Sequence, residues 1–461
     1  MYKVVIVPSR IPTVGGFNMN LDDDSIDPAA GESGGEDVEI GMLGLPLYAW
    51  VVVAAVIGVA IGLWLGPRAA PFEIPTRIIL NAIKAIGTPL VVMAILNAIV
   101  ANELHGRQAA HMMLYYLLNT LIAMLIGITL CNTIKPGHGA ELIDPAHPVA
   151  QPARKSITEL IVELVPASIG EAFSKNNLAQ LVLITLALGI GLAGMRDQAR
   201  IKKSKSFQTI IDLLDIGFHL LMKVLLWIVA IVPLAVLGVV ASSVGLDGFR
   251  VFRSLGWFIV VVLIGLGCQI SWYLVLNAVF ARISPLRFIK ASANVCATAF
   301  SSSSTAATIP VTLKSLENKL GVSRASSRLA ACVGTNFNND GTALYQASAV
   351  LFLAQALDVK LTTFDQILIM ITTLIASVGA GGIPSGSFVT LPLIFAAVNL
   401  PPDKIPLLLT IDWFLDRCRT VSNVLGDMTV AVLLDLTARP PKQAGSDSLD
   451  SDAEPSRPDP V

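Results

Sequence analysis

The sequence predicts an all-α membrane protein, and three observations predict it. The 461 residues are 54% hydrophobic and only 14% charged, with a mean hydropathy of +0.70, whereas a soluble chain carries about 25% charge. Apolar segments long enough to cross a bilayer recur along the chain, since a spanning helix needs about 20 apolar residues. The polar residues in the last apolar segment are also ordered: Asp412, Asp416, Arg419, Thr420, Asn423 and Asp427 follow the period of one helix face. A charge at the bilayer centre costs roughly 2.5–3.5 kcal/mol on insertion scales. That stripe must therefore face something polar.

Residues 1–43 read as an acidic, disordered tail, because Asp22, Asp23, Asp24, Asp27, Glu32, Glu36, Asp37 and Glu39 stand against Lys3 and Arg10 among many Gly and Ser. Six spans follow, at about 44–65, 77–103, 109–134, 157–194, 208–244 and 251–281, the fourth and fifth broken or tilted. The second half differs. Segments at 285–313 and 363–396 have polar, Ser- and Gly-rich centres, AFSSSSTAATIP and SVGAGGIPSGS. An interrupted segment cannot lie in lipid unless its freed backbone groups are buried in protein or line a cavity. Both read as re-entrant hairpins, and Pro310 with the serine run marks the first tip. Each is followed by a helix with a polar interior, at 322–356 and 402–437, which suggests an inverted repeat around a transporter site. Residues 438–461 read as a second disordered tail.

Several classes are disfavoured. A net charge of −1 excludes a broad nucleic-acid footprint. Cys131, Cys268, Cys296, Cys332 and Cys418 stand singly in apolar segments and read as packing residues. Basic residues set orientation. Arg196, Arg200, Lys202, Lys203 and Lys205 in the loop MRDQARIKKSKS, with Arg282, Arg287, Lys290, Lys314 and Lys319, place both tails in the cytoplasm. The chain has no N-x-[ST] sequon, which favours a bacterial or archaeal inner membrane.

The motifs carry the chemistry. A hairpin tip with free N–H groups and hydroxyls, as SSSSTAATIP offers, suits a carboxylate. In GTNFNNDGTALYQ at 334–346, Gly334, Asn338, Asp340 and Gly341 suggest an unwound helix whose oxygens hold a hard cation such as sodium, rather than zinc or copper. GAGGIPSGS at 379–387 suggests a second, movable tip. Asp340 and Asp427 also admit a remote reading as an intramembrane aspartic protease dyad. GxGD is absent, and the surrounding amides suit a cation better.

SSxxATxP, NxDGTALY, GxGGIP and DWFLDRxRTxxNVLGD, in that order, resemble the glutamate transporter family, which includes excitatory and neutral amino-acid transporters and prokaryotic sodium–aspartate symporters. The resemblance covers about residues 44–437. It implies a homotrimer whose protomers have eight transmembrane helices and two re-entrant hairpins. Segments 44–108 and 135–250 would form the scaffold. Helix 109–134 and segment 251–437 would form a transport domain that moves as an elevator. It implies import of aspartate or glutamate with two or three sodium ions as co-substrates. For the substrate it implies Arg419 on the side-chain carboxylate, oriented by Asp412, and Asp416 on the ammonium. Asn423, Ser304 and Thr305 would take the α-carboxylate. Thr342 and Thr420 would line the pocket, and Ile383, Pro384 and Ser387 the closing tip. Three sodium sites are implied. One uses the carbonyls of Gly334, Asn338 and Asn423 with the Asp427 carboxylate. A second uses the carbonyls of Asn336, Ser377, Val378 and Ala380. The third uses Tyr116, Asn119, Thr120, Asn338 and Asp340.

The chain departs from the family pattern at several points. Asn339 stands where the family has methionine, and Ala306 removes a hydroxyl from the first tip. Ser387 replaces a usual glycine and Asn119 a threonine. Gln346 stands where proton-moving animal relatives have glutamate. A C4-dicarboxylate carrier and a neutral amino-acid carrier remain alternatives. Asp416 weighs against the first, because such a substrate has no ammonium. Arg419 weighs against the second.

Overall fold

The computed structural model describes residues 41–42, 45–101, 106–140, 165–166, 168–174, 178–201, 207–248, 250–380, 387–398, 400–401 and 404–438. The expected tails, Lys202, Lys203, Lys205, Ile383 and Pro384 lie wholly or almost wholly outside these residues. A two-residue antiparallel pairing of β1 (Gly41–Met42) with β2 (Leu45–Pro46) precedes the first helix. Everything else that is regular among the described residues is helical.

Helix α1 (Leu47–Leu65) leads through a 3₁₀ segment (Gly66–Phe72) into α2 (Glu73–Ala101). Then come α3 (Gly106–Ile134), the short α4 (Ile169–Ser174), α5 (Leu178–Ile201), α6 (Gln208–Ala230) and α7 (Val232–Asp247). The fifth expected segment is indeed broken, at Ile231, where Pro233 follows within the first turn of α7. α1 packs chiefly on α7, and α2 on α5, α6 and α7. Glycines permit the first contact. A Cβ on Gly58 would stand 2.8 Å from the Leu237 carbonyl oxygen, and one on Gly62 2.7 Å from that of Ala241. Small residues four apart let two backbones touch in this way.

One expectation fails in this half. Arg196 is not in a basic loop: α5 continues to Ile201, and Arg196 is buried. Its Nη1 donates to the Val100 carbonyl at 2.6 Å, and Nη2 pairs with Asp197 at 2.9 Å. A guanidinium at the last turn of α2 satisfies a carbonyl that the helix itself leaves open.

The other half is built on α8 (Arg250–Phe280). The first hairpin is α9 (Pro285–Ser302) and α10 (Thr305–Ser315), continued by a π turn (Leu316–Leu320). Its serine run folds the tip. Ser302 Oγ donates to the Thr298 carbonyl at 2.8 Å, Ser303 takes a left-handed φ of 52°, and Ser304 caps α10 by accepting the Ala307 N–H. Pro310 lies inside α10 rather than at the tip. The next helix is broken as the sequence suggests: α11 (Arg324–Phe337) stops and α12 (Asp340–Ala356) starts around Asn338–Asn339. α12 is buried almost all round, which marks it as the centre of this half. The second hairpin has arms α13 (Thr363–Ala380) and α14 (Ser387–Ala397), and α15 (Ile405–Ala438) runs unbroken. α3, α8, α12 and α15 pack on one another, and α9 packs on α15. Among the described residues five stretches are long and apolar enough to cross a membrane: Ala49–Asn97, which runs through most of α1 and α2, Gln108–Ile134, Gln208–Ala230, Phe252–Phe280 and Ile405–Ala438.

Candidate functional site

The polar stripe of α15 faces the break between α11 and α12, so the two features that the sequence singles out meet. Asn338 Nδ2 donates to the Asn423 carbonyl at 2.8 Å and to Asp427 Oδ1 at 2.9 Å. The Gly341 N–H donates to Asn423 Oδ1 at 2.8 Å, and Asn423 Nδ2 reaches Thr342 Oγ1 at 3.3 Å. Unwinding at Asn338–Asn339 frees these groups, and the α15 side chains satisfy them.

One turn or more away along α15 lies the charged centre. Arg419 is 1% exposed. Its Nη1 is 2.9 Å from Asp412 Oδ1 and its Nη2 2.5 Å from Asp416 Oδ1, and its Cζ stands 4.1 Å from the centroid of the Tyr345 ring. The Asp412 contact is an ion pair without hydrogen-bond alignment: Arg419 Nε and Nη1 and Asp412 Oδ1 are buried with no hydrogen-bond partner. A guanidinium has five N–H donors in a rigid fork. Two of its nitrogens therefore remain available for an oxyanion. Asp416 is the more exposed partner, with 21% of its side chain accessible. Thr420 donates to the Asp416 carbonyl at 2.8 Å. The neighbouring Arg417 is spent elsewhere. It donates to the Phe300 and Ser301 carbonyls at 2.8 and 2.6 Å, which ties the end of α9 and hence the first tip to α15. Ser304 and Thr305 stand half-buried at that tip. Ser387 opens α14 with its hydroxyl buried and unpartnered.

Two further carboxylates are buried deeper. Asp340 accepts from Thr120 Oγ1 at 2.6 Å and from Tyr273 OH at 2.6 Å. Asp427 accepts from Asn338, and a Cβ on Gly334 would collide with the Asp427 carboxylate and sit 2.5 Å from Tyr116 OH. Tyr116 OH itself donates to the Ala330 carbonyl at 2.8 Å. Among the described residues neither Asp340 nor Asp427 has a cationic partner, and no hydrogen bond joins the two. A protease dyad would need that shared proton. No cluster of three or more His, Cys, Asp or Glu occurs among the described residues. Two buried carboxylates, neutral oxygens and an unpartnered Asn338 Oδ1 suit hard monovalent cations.

Not every expected ligand joins this group. Asn119 Oδ1 accepts the Trp272 indole N–H at 3.1 Å, so its amide oxygen turns to α8 rather than to Asp340. Ser377, Val378 and Ala380 are in the last turn of α13, and Asn336 is in the last turn of α11. The Ser377 carbonyl accepts from Asn339 Nδ2 at 2.9 Å. Sequence reasoning missed Tyr273, Tyr345 and the task of Arg417. Tyr273 lies in a plain apolar span that gives no signal, whereas Tyr345 stands within the quoted NNDGTALY.

Re-entrant hairpins and a broken helix around buried charges define a membrane transporter rather than an enzyme. Comparison with known proteins gives the same class. Residues 47–436 match the model of the sodium:dicarboxylate symporter family. The chain is 32% identical over 470 residues to neutral amino acid transporter B(0) of Bos taurus, covering 92% of this chain and 86% of that protein. It is 27% identical over 445 residues to excitatory amino acid transporter 3 of Oryctolagus cuniculus, covering 82% and 83%. The chain belongs to the sodium:dicarboxylate symporter family and is a multi-pass membrane protein.

Proposed function

We propose that the protein is a sodium-coupled symporter that imports aspartate or glutamate. The observation that carries this reading is the buried Arg419 guanidinium, which keeps Nε and Nη1 without hydrogen-bond partners beside a partly open Asp416. A guanidinium in that state binds a carboxylate with charge-assisted bonds, and Asp416 supplies the acceptor for an ammonium. Asn423, Thr342 and the Ser304–Thr305 tip complete the reading for the α-carboxylate. Asp340 and Asp427 take sodium, two or three ions in all, so that the loaded site crosses apolar surroundings with little uncompensated charge. The packing of α1, α2, α5, α6 and α7 with one another, and of α3, α8–α12 and α15 with one another, supports a scaffold and a moving transport domain of the elevator type. Assembly is a homotrimer in the inner membrane with both tails cytoplasmic.

A second reading, a neutral amino-acid carrier, is favoured by the 32% identity to neutral amino acid transporter B(0). The deciding experiment uses purified protein in liposomes with labelled aspartate, glutamate, succinate and serine, with and without an inward sodium gradient. Aspartate or glutamate uptake that needs sodium is expected. Serine uptake exceeding both replaces the acidic reading with the neutral one, and equal uptake in potassium or choline removes sodium coupling.

A further inference from the structure

α8 ends at Phe280, the last residue of a stretch apolar enough to cross a membrane, and α9 begins soon after, at Pro285. Beside this turn lies a cavity of about 390 Å³ lined by Ser284, Leu286, Arg287, Lys290, Ala291 and Lys319. Three of these side chains are cationic and none is acidic. Arg287 and Lys290 are three positions apart on α9 and so share a face of it. Lys319 comes from the π turn after α10 and reaches across to the other arm of the hairpin. Its Nζ donates to the Ala291 carbonyl at 3.4 Å, which also accepts from Ser315 Oγ at 2.5 Å. Glu317 is turned to Arg324 at 3.6 Å, and among the described residues no carboxylate pairs with Arg287, Lys290 or Lys319. The helix end adds little of its own, because Ser284 accepts the N–H groups of both Arg287 and Phe288 and Pro285 has none.

Like charges drawn around one concavity repel, and an anion seated among them turns that repulsion into attraction. The surroundings point to what carries the anion. Leu286 and Ile289 are 62% and 49% exposed although both are large and apolar, and Val279 and Phe280 at the end of α8 are exposed likewise. Cations beside exposed apolar side chains, where a spanning stretch ends, suit a phosphate that bears acyl chains. A free phosphate would meet the cations and leave the apolar side chains bare. We propose that this pocket binds the phosphate headgroup of an anionic lipid, which bridges the two arms of the first hairpin at their open end. The inference requires a membrane protein and is independent of the substrate.

The test uses the full chain in detergent, titrated with dioctanoyl phosphatidylglycerol, dioctanoyl phosphatidylcholine or inorganic phosphate, and reads the rise of the melting midpoint. Phosphatidylglycerol should raise it saturably, phosphatidylcholine should not, and inorganic phosphate at equal concentration should do so far less. The variant Arg287→Gln/Lys290→Gln/Lys319→Gln is compared with Lys314→Gln, which removes an exposed cation of the same hairpin that does not line the cavity. Each pocket charge removed should weaken phosphatidylglycerol about fivefold, and all three about a hundredfold, whereas Lys314→Gln should leave affinity unchanged. Without lipid the triple variant should melt no lower than the parent, since its loss relieves repulsion. A lower midpoint there overturns the unpaired cluster on which the pocket rests. Equal shifts with both lipids, or equal losses in Lys314→Gln and the triple variant, overturn the pocket as a lipid site. Inorganic phosphate acting as well as phosphatidylglycerol overturns the lipid as its occupant.

Discussion

Replacing Arg419 with cysteine takes away the guanidinium that stands 2.9 Å from Asp412 and 2.5 Å from Asp416. Asp412 is as buried as the arginine, so its carboxylate is left uncompensated, and removing one partner of such a pair costs about 3–5 kcal/mol. If the guanidinium also reads the substrate's side chain, an acidic substrate adds a second unpaired carboxylate. Aspartate affinity should then fall by about two to three orders of magnitude or more. Serine and alanine bring no such charge, and the mutant should bind them at least as well as the parent. Succinate should remain a poor substrate in both, because Asp416 then faces no ammonium. The double variant Arg419→Cys/Asp412→Asn removes the stranded carboxylate and separates recognition from stability: its melting midpoint should recover while aspartate stays excluded. Competition by each compound against the best labelled substrate in liposomes measures the effect. Aspartate binding within a few-fold of the parent in Arg419→Cys would refute the reasoning. Arg417 offers little rescue, since its guanidinium donates to the carbonyls of Phe300 and Ser301.

Asp427→Ala and Asp340→Ala should abolish sodium-dependent uptake while the protein still folds, which uptake and detergent size-exclusion profiles together check. Tyr273→Phe removes one of the two hydroxyl donors on Asp340; a hydrogen bond to a charged group contributes about 1.5–3 kcal/mol, so the sodium dependence of uptake should shift by about tenfold to a hundredfold with substrate order unchanged. Gln346 is buried, donates to Thr390 and does not titrate in the physiological range, so substrate uptake at saturating sodium should produce no stoichiometric alkalinisation outside the liposomes.

What the sequence made legible follows from which signals are local. The α15 stripe survives because a 3.6-residue period needs only one unbroken helix. The α11–α12 break is written in Asn338, Asn339 and Gly341, residues poor at continuing a helix in an apolar setting. The first tip is legible to within a few residues, but Pro310 does not mark it: it sits at the sixth position of α10, and the turn itself is made by Ser303 and Ser304. Fading apolarity after position 194 predicts a loop at Arg196, yet MRDQAR is made largely of good helix formers and the Arg196 guanidinium finds a carbonyl on α2. Tyr273 and the orientation of Asn119 depend on which face of α8 meets α3. No periodicity within either helix encodes that meeting.

Under the symport proposal, the three expected cation positions are not equivalent. Asp340 and Asp427 each anchor one, and among the described residues neither has a positive partner, so each carboxylate is costly to carry through apolar surroundings unless an ion accompanies it. The position between α11 and the second hairpin is different. Its expected ligands, the carbonyls of Asn336, Ser377, Val378 and Ala380, are neutral, and no carboxylate stands among them. A neutral donor on one of those carbonyls leaves no buried charge behind, whereas the Asn338 amide on Asp427 and the Thr120 and Tyr273 hydroxyls on Asp340 leave the negative charge of each carboxylate in place. Under that proposal at least two ions, one for each carboxylate without a positive partner, are expected to accompany each substrate. An accumulation ratio that follows only the first power of the sodium gradient contradicts that count directly.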